Sequence, residues 1–281
     1  MKKVILTVFL LLFVFTSCAA EKQDDSFALQ DFLKLIKSSG HTYKIPEGFA
    51  TVPMLSVPYT LLAIGNVEND HVIAFEYESI ELMEADIESI SSDGFTLRNA
   101  SVSWVNPPQF YQKGRLILIY AGKNEKTMRF LDKHFGDVFA GMETEEKLET
   151  IRWWDEIWSV RALVDDFGAQ LQEVDLTAPK EKASKDIKKK YAAYVTPELL
   201  ERWIRDPEKA PGRAGSSPWP DRIEGGLNKL SDNEYELEGN IVWITSAEVE
   251  SGRAAFTQPV VLKIIKDGKG WRISDMIIDS E

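Results

Sequence analysis

The chain has 281 residues, 44% of them hydrophobic, and a formal net charge of −12 at pH 7. This acidic balance disfavours nucleic acid and anionic membrane surfaces as partners, because both are themselves negative. The single cysteine, Cys18, excludes an intrachain disulfide, so packed apolar cores must stabilise the fold, and the length suffices for two domains.

The chain begins with Lys2 and Lys3, followed by an apolar run, Val4–Phe15, and then by Thr16-Ser17-Cys18. This order of charged, apolar and small residues is typical of a signal peptide, here residues 1–17. A twelve-residue apolar run forms about 18 Å of helix, which is short for a hydrocarbon core of about 30 Å. The leader therefore predicts export and argues against a permanent transmembrane span.

Residues 15–18 resemble the lipobox of bacterial lipoproteins, although Phe15 stands where Leu is usual. The resemblance implies cleavage before Cys18 and attachment of diacylglycerol to its thiol, with further acylation by palmitate-like chains. Cleavage removes two lysines and changes the net charge from −12 to −14. Residues 18–41 then comprise the lipidated cysteine, a short tether and an amphipathic helix, so we expect an extracytoplasmic protein held at a cell membrane or outer membrane. The alternative is a secreted protein cut near Ala20 with a free thiol.

The predicted helix of this segment is capped by Ser26 and ends before Gly40. Residues 42–141 then have the pattern of an α+β domain with the order ββαββα. The predicted elements are strands 59–67 and 71–77, helix 80–90, strands 100–105 and 115–121, and helix 125–135.

Residues 142–281 predict a second α+β domain, in which three helices precede a curved four-stranded antiparallel sheet. Apolar residues spaced by three and four, beginning with Trp153, form a core stripe on a long helix over 145–174. The other predicted elements are helices 179–194 and 196–205 and strands 222–230, 235–246, 254–265 and 271–278.

This order of elements over residues 143–281 resembles the nuclear-transport-factor-two-like fold, which implies helices packed on a concave sheet and a cone-shaped pocket. Two stretches also resemble an uncharacterised family of bacterial envelope lipoproteins. One is Trp104-Val105-Asn106-Pro107-Pro108-Gln109-Phe110-Tyr111, followed by Gly114-Arg115-Leu116-Ile117. The other is Ala210-Pro211-Gly212-Arg213 with Ser216-Ser217-Pro218-Trp219-Pro220-Asp221-Arg222-Ile223. The second resemblance implies no particular activity.

Enzymes of the nuclear-transport-factor-two-like fold commonly use an Asp, or an Asp–His pair, in the cone. All three histidines of this chain precede residue 142, so a His–Asp pair there is excluded, while a lone carboxylate such as Asp165 or Asp166 stays open. The alternative function is therefore an isomerase, dehydratase or hydrolase with a carboxylate base in the cone. The sequence has no motif for a metal or another cofactor.

The loop over residues 211–223 is rich in proline, which restricts φ and lowers the cost of ordering the loop on binding. It could hold a carboxylate or phosphate ligand with Arg213, Ser216, Ser217, Trp219 and Arg222. In the competing interpretation it is a structural clasp. Trp219 then closes the cone, and the arginines pair with Asp206, Asp221 or Glu224.

Four acids alternate along one predicted strand: Asp232, Glu234, Glu236 and Glu238. They lie on one face, opposite Tyr235 and Leu237, and we interpret them as a charged sheet edge that discourages aggregation. Together these patterns predict a lipid-anchored envelope protein that binds a small ligand or another envelope protein and does not act as an enzyme.

Overall fold

The computed structural model describes residues 26–46, 54–65 and 70–279, which form an α+β structure as predicted. The leader, Cys18 and residues 66–69, which include the end of the predicted strand 59–67, lie outside these residues. The chain divides into an N-terminal unit that ends at Ile151 and a C-terminal unit that begins at Arg152. The sequence analysis instead places the boundary between residues 141 and 142.

Within its described residues, the N-terminal unit contains a six-stranded antiparallel sheet, a short hairpin and three helices that precede the long helix at its end. The helices are α1 (Leu29–Ser38), α2 (Ile80–Ile87) and α3 (Glu125–Phe135). The strands are β1 (Tyr43–Lys44), β2 (Tyr59–Ile64), β3 (His71–Glu76), β4 (Thr96–Leu97), β5 (Ala100–Ser101), β6 (Gln109–Lys113), β7 (Leu116–Tyr120) and β8 (Ala140–Gly141). The sheet order is β1-β2-β3-β7-β6-β8, and β4 pairs with β5.

Strand β7 lies inside this sheet and is buried along its whole length. Because side chains alternate along a strand, Leu116, Leu118 and Tyr120 pack with α1 and α3, while Ile117 and Ile119 pack with α2 on the other face. Both faces of the sheet are therefore covered, which explains why β7 is a continuous apolar run.

Two predictions in this unit are wrong. Of the predicted strand 100–105, only Ala100–Ser101 is a strand (β5), and it pairs with β4 outside the six-stranded sheet; the neighbour of β7 in that sheet is β6, which begins after Pro107-Pro108. The helix cap is Ala28 and not Ser26, since the Asp31 carboxylate accepts the Ala28 N–H at 3.3 Å and satisfies the free helix end.

The long helix α4 (Thr144–Gln170) contains the division between the units. The C-terminal unit adds helices α5 (Lys180–Tyr191) and α6 (Pro197–Arg205). Its strands are β9 (Trp219–Ser231), β10 (Glu234–Ile244), β11 (Phe256–Asp267) and β12 (Gly270–Ile278). They form an antiparallel sheet with the order β12-β11-β10-β9. Thr196 caps α6 by accepting the Leu199 N–H at 3.4 Å.

The apolar stripe of α4 is shorter than its spacing predicts. Val160, Val164 and Phe167 are buried in the core, Ile157 is half-buried, and Trp153 is 49% exposed. The prediction that Trp153 is a core residue is therefore wrong. The apolar spacing therefore extends one helical turn further towards the N-terminus of α4 than the buried core does.

The acidic strand is β10, which lies between β9 and β11 and is not a sheet edge. Tyr235 and Leu237 are buried on the face opposite the acids, as predicted, but the edge interpretation is wrong. Glu236 lies opposite Lys263 on β11 and Asn228 on β9, which suits its charge, whereas Glu234 and Glu238 lie opposite Ile265 and Val261 on β11.

Candidate functional site

Aromatic side chains fill the interior of the C-terminal unit. The rings of Phe167 and Trp203 stack with centroids 6.2 Å apart, and Tyr191 lies edge-on to them at 5.1 and 5.7 Å. All three side chains are buried. The hydroxyl of Tyr191 donates to the carbonyl of Pro211 at 2.7 Å, which ties the loop to this core. The helix-covered face of the sheet is therefore packed with side chains.

The carboxylates considered as general bases, Asp165 and Asp166, are both exposed. Among the described residues of this unit, Thr196 is the only buried polar side chain apart from tyrosine and tryptophan. The described core thus offers no carboxylate to the alternative enzymatic function.

The arginines of the predicted loop site lie in separate ion pairs. Arg213 Nη2 is 3.2 Å from Asp175 Oδ2. Arg222 pairs with Asp221 at 2.7 Å and with Glu224 at 2.6 Å. Both guanidinium groups already have carboxylate partners, so this geometry favours the clasp interpretation, with Asp175 as a partner that the sequence did not suggest.

Three of the five predicted loop residues do share one small cavity of about 330 Å³. It is lined by Gln172, Glu173, Arg213, Ser216 and Trp219. Ser217 and Arg222 do not line this cavity. The carboxylate of Glu173, which does line it, would repel an anionic ligand. Half-buried Trp219 begins β9 and pairs with Ile244.

A larger pocket, which we call the Trp104 pocket, lies in the N-terminal unit and has a volume of about 680 Å³. Its lining includes the apolar residues Leu61, Ile73, Trp104 and Val105 and the polar residues Asp70, Asn106 and Asn124. Trp104 is held in place because its indole N–H donates to the carbonyl of Gly94 at 2.8 Å. The Asn106 amide donates to the Ala121 carbonyl at 3.2 Å, which links two segments of the lining.

The polar end of the Trp104 pocket is built around Asp70, which is only 4% exposed. Its carboxylate accepts hydrogen bonds from the hydroxyls of Tyr120 and Thr127, the latter at 2.9 Å. Burial and the hydrogen bond to Asp70 raise the pKa of Tyr120, so the phenol stays protonated and donates. A side chain at Gly122 would collide with Asp70 and Tyr120, so glycine lets the backbone pass directly over this pair.

Lys147, in the first turn of α4, is fully buried behind this network. Its ammonium group donates to the carbonyl of Tyr120 at 3.0 Å and to Gln109 Oε1 at 3.3 Å. It also lies 4.6 Å from the centre of the Tyr120 ring. Burial lowers the pKa of Lys147 to about 7, although the charges of Asp70 and Asp132 oppose this shift.

Sequence analysis missed Asp70, Tyr120, Thr127 and Lys147 because they come from four elements or loops with no common spacing. The one sequence signal at the pocket is the stretch from Trp104 to Tyr111, which supplies Trp104, Val105 and Asn106 to the lining.

Among the described residues, no three His, Cys, Asp or Glu side chains are grouped so that they could hold a metal ion. No helix in the described ranges has the length and apolar character needed to span a membrane. Comparisons with family models, with curated proteins and with solved structures found no match to this chain. The resemblances noted from the sequence therefore stay predictions.

Proposed function

We propose that this chain is a lipid-anchored envelope protein that binds a small molecule in the Trp104 pocket without transforming it. The pocket itself carries the proposal. Its volume of about 680 Å³ lies within the range of small-molecule sites, which are apolar clefts with a few fixed polar groups. The filled core of the C-terminal unit supports a scaffold role for that unit.

The polar end of the pocket indicates the chemistry of the ligand. An ionised carboxylate has about four lone-pair positions, and hydrogen bonds from Tyr120 and Thr127 use two of those on Asp70. A ligand hydroxyl or amine can donate to Asp70 while an apolar ring lies against Trp104. We therefore propose a compact apolar molecule with one hydrogen-bond donor.

A substitution at the pocket wall tests this proposal. Ser103 is exposed and lines the pocket, so Ser103→Trp places a bulky ring in the space proposed for the ligand. Ser101 is also exposed but does not line the pocket, which makes Ser101→Trp a matched control. We expect benzylamine, phenethylamine and benzyl alcohol to bind the full chain with a Kd of about 1 mM, about −4 kcal/mol, in saturation-transfer NMR.

Ser103→Trp is expected to weaken this binding at least about tenfold, about 1.4 kcal/mol, while Ser101→Trp leaves it unchanged. Equal binding by the two variants, or no binding of any of these probes to the unsubstituted chain, would refute the pocket as the site.

The location of the protein rests on the leader and Cys18. We expect metabolic labelling with a palmitate analogue to mark the wild-type chain and not Cys18→Ala, because the lipid would be linked to that thiol. Label that persists in Cys18→Ala would contradict the anchor while leaving the pocket proposal intact.

A further inference from the structure

A second concave surface of the N-terminal unit lies between the end of α1 and α3. We call it the histidine groove and define it by six of its lining residues: Ser39, His41, Lys126, Phe130, Lys133 and His134. It has a volume of about 1030 Å³. Asn124 lines both this groove and the Trp104 pocket.

Positive charge accumulates on the side of α3 that faces the groove. Lys126, Arg129 and Lys133 are spaced by three and four residues, which places them on one side of the helix. Arg129 is paired with Glu125 at 3.4 Å and also with Glu145. Lys126 and Lys133 are exposed, and no ion-pair partner for either occurs within the described ranges. These two lysines therefore leave a local excess of positive charge on an acidic protein.

Three rings form the floor of the groove. The imidazoles of His41 and His134 lie against Phe130, with centroids 5.1 and 4.9 Å away. The hydroxyl oxygen of Ser39 is 3.5 Å from Nε2 of His134. A hydroxyl, two imidazoles and two lysines thus line one groove.

We infer that the histidine groove binds a phosphate ester, with its oxyanion held between Lys126 and Lys133. Lysine binds phosphate as a point charge, and hydroxyl and imidazole N–H groups can donate to the remaining oxygens. A soluble phosphate ester and a phospholipid headgroup both carry this chemistry. The inference does not depend on the Trp104 pocket.

Charge-removing variants test the assignment. Isothermal titration of the full chain with glycerol 3-phosphate should show binding that Lys126→Gln combined with Lys133→Gln weakens about tenfold, about 1.4 kcal/mol. Lys188→Gln with Lys189→Gln removes the same charge from exposed positions of α5 and should leave the affinity unchanged. Equal weakening in both double variants would overturn the groove as the site.

Short-chain lipids separate the two sources of phosphate. Dihexanoyl phosphatidylglycerol is compared with the zwitterionic dihexanoyl phosphatidylcholine and with glycerol 3-phosphate. Preference for phosphatidylglycerol assigns the groove to a lipid headgroup, and binding of glycerol 3-phosphate alone assigns it to a soluble ester. Binding of none of the three overturns the inference.

The pH dependence of anion binding tests the part played by His134. Burial and the charges of Lys133, Lys113 and His41 lower the pKa of His134. An anion bound beside the ring favours the protonated imidazole, so anion binding should tighten as the pH falls. The other charged residues that line the groove are Glu125, Lys126 and Arg129, and Glu145 pairs with Arg129. Sulfate keeps its charge between pH 5.5 and 8, and we expect about tenfold tighter sulfate binding at the lower pH. The same pH ratio in His134→Asn would overturn the assignment of His134 to the site.

Discussion

We expect Trp203→Ala to lower the free energy of unfolding of the C-terminal unit by about 3–5 kcal/mol, because it empties the middle of an aromatic core. Trp203 is buried, stacks on Phe167 and meets the edge of Tyr191, so neither neighbour can fill the space without losing its own contacts. Urea unfolding with pulsed hydrogen exchange of β11 amides measures this unit separately from the other.

Trp153→Ala is the matched control, because it removes the same side chain from a helix of the same unit. Trp153 is 49% exposed, so we expect a loss below about 1 kcal/mol, as is usual away from packed sites. Similar losses for the two variants would contradict the packed core described for this unit, and with it the scaffold role.

The second large effect concerns Lys147 and pH. The unfolded chain keeps this lysine protonated up to about pH 10.4, whereas the folded chain protonates it only below about 7. Between these values the unfolded state binds one more proton, so the free energy of unfolding should rise with pH, by up to about 1.4 kcal/mol per unit. The cost of burying the charge is fully present below pH 7 and is relieved as the pH rises.

Lys147→Met removes the titrating group and should remove this slope. Urea unfolding of the N-terminal unit at pH 7, 8 and 9, followed by pulsed exchange of β7 amides, gives the slope for each variant. Lys44 is exposed on β1 of the same unit, so Lys44→Met should keep the wild-type slope. Parallel slopes in Lys147→Met and wild type would show that the buried ammonium group does not titrate near pH 7.

Local sequence patterns predicted the elements whose partners are close in the chain. The strands of the C-terminal unit follow one another in the chain as antiparallel neighbours, so the alternation of apolar and polar residues located them within a few residues. Helix α3 has the predicted bounds, because Asn124 caps it and Gly136 follows its last residue.

The Trp104 pocket could not be predicted in the same way, because its polar end depends on tertiary contacts. Asp70 directly precedes β3, and its partners Tyr120 and Thr127 follow 50 and 57 residues later. A single acid before a strand is not distinctive, and nothing in its spacing shows that hydroxyl groups will bury it. Trp153 shows the opposite error, because its regular spacing predicts a buried side chain and the structure leaves that side chain 49% exposed.

Hydrogen–deuterium exchange of the full chain with and without saturating phenethylamine tests most directly that the binding site belongs to the N-terminal unit. The account predicts slower exchange in peptides that cover residues 104–106 and 121–124, which line the Trp104 pocket. It also predicts unchanged exchange in β9 to β12 and in the loop around Arg213. Protection confined to that loop or to the sheet of the C-terminal unit would contradict it.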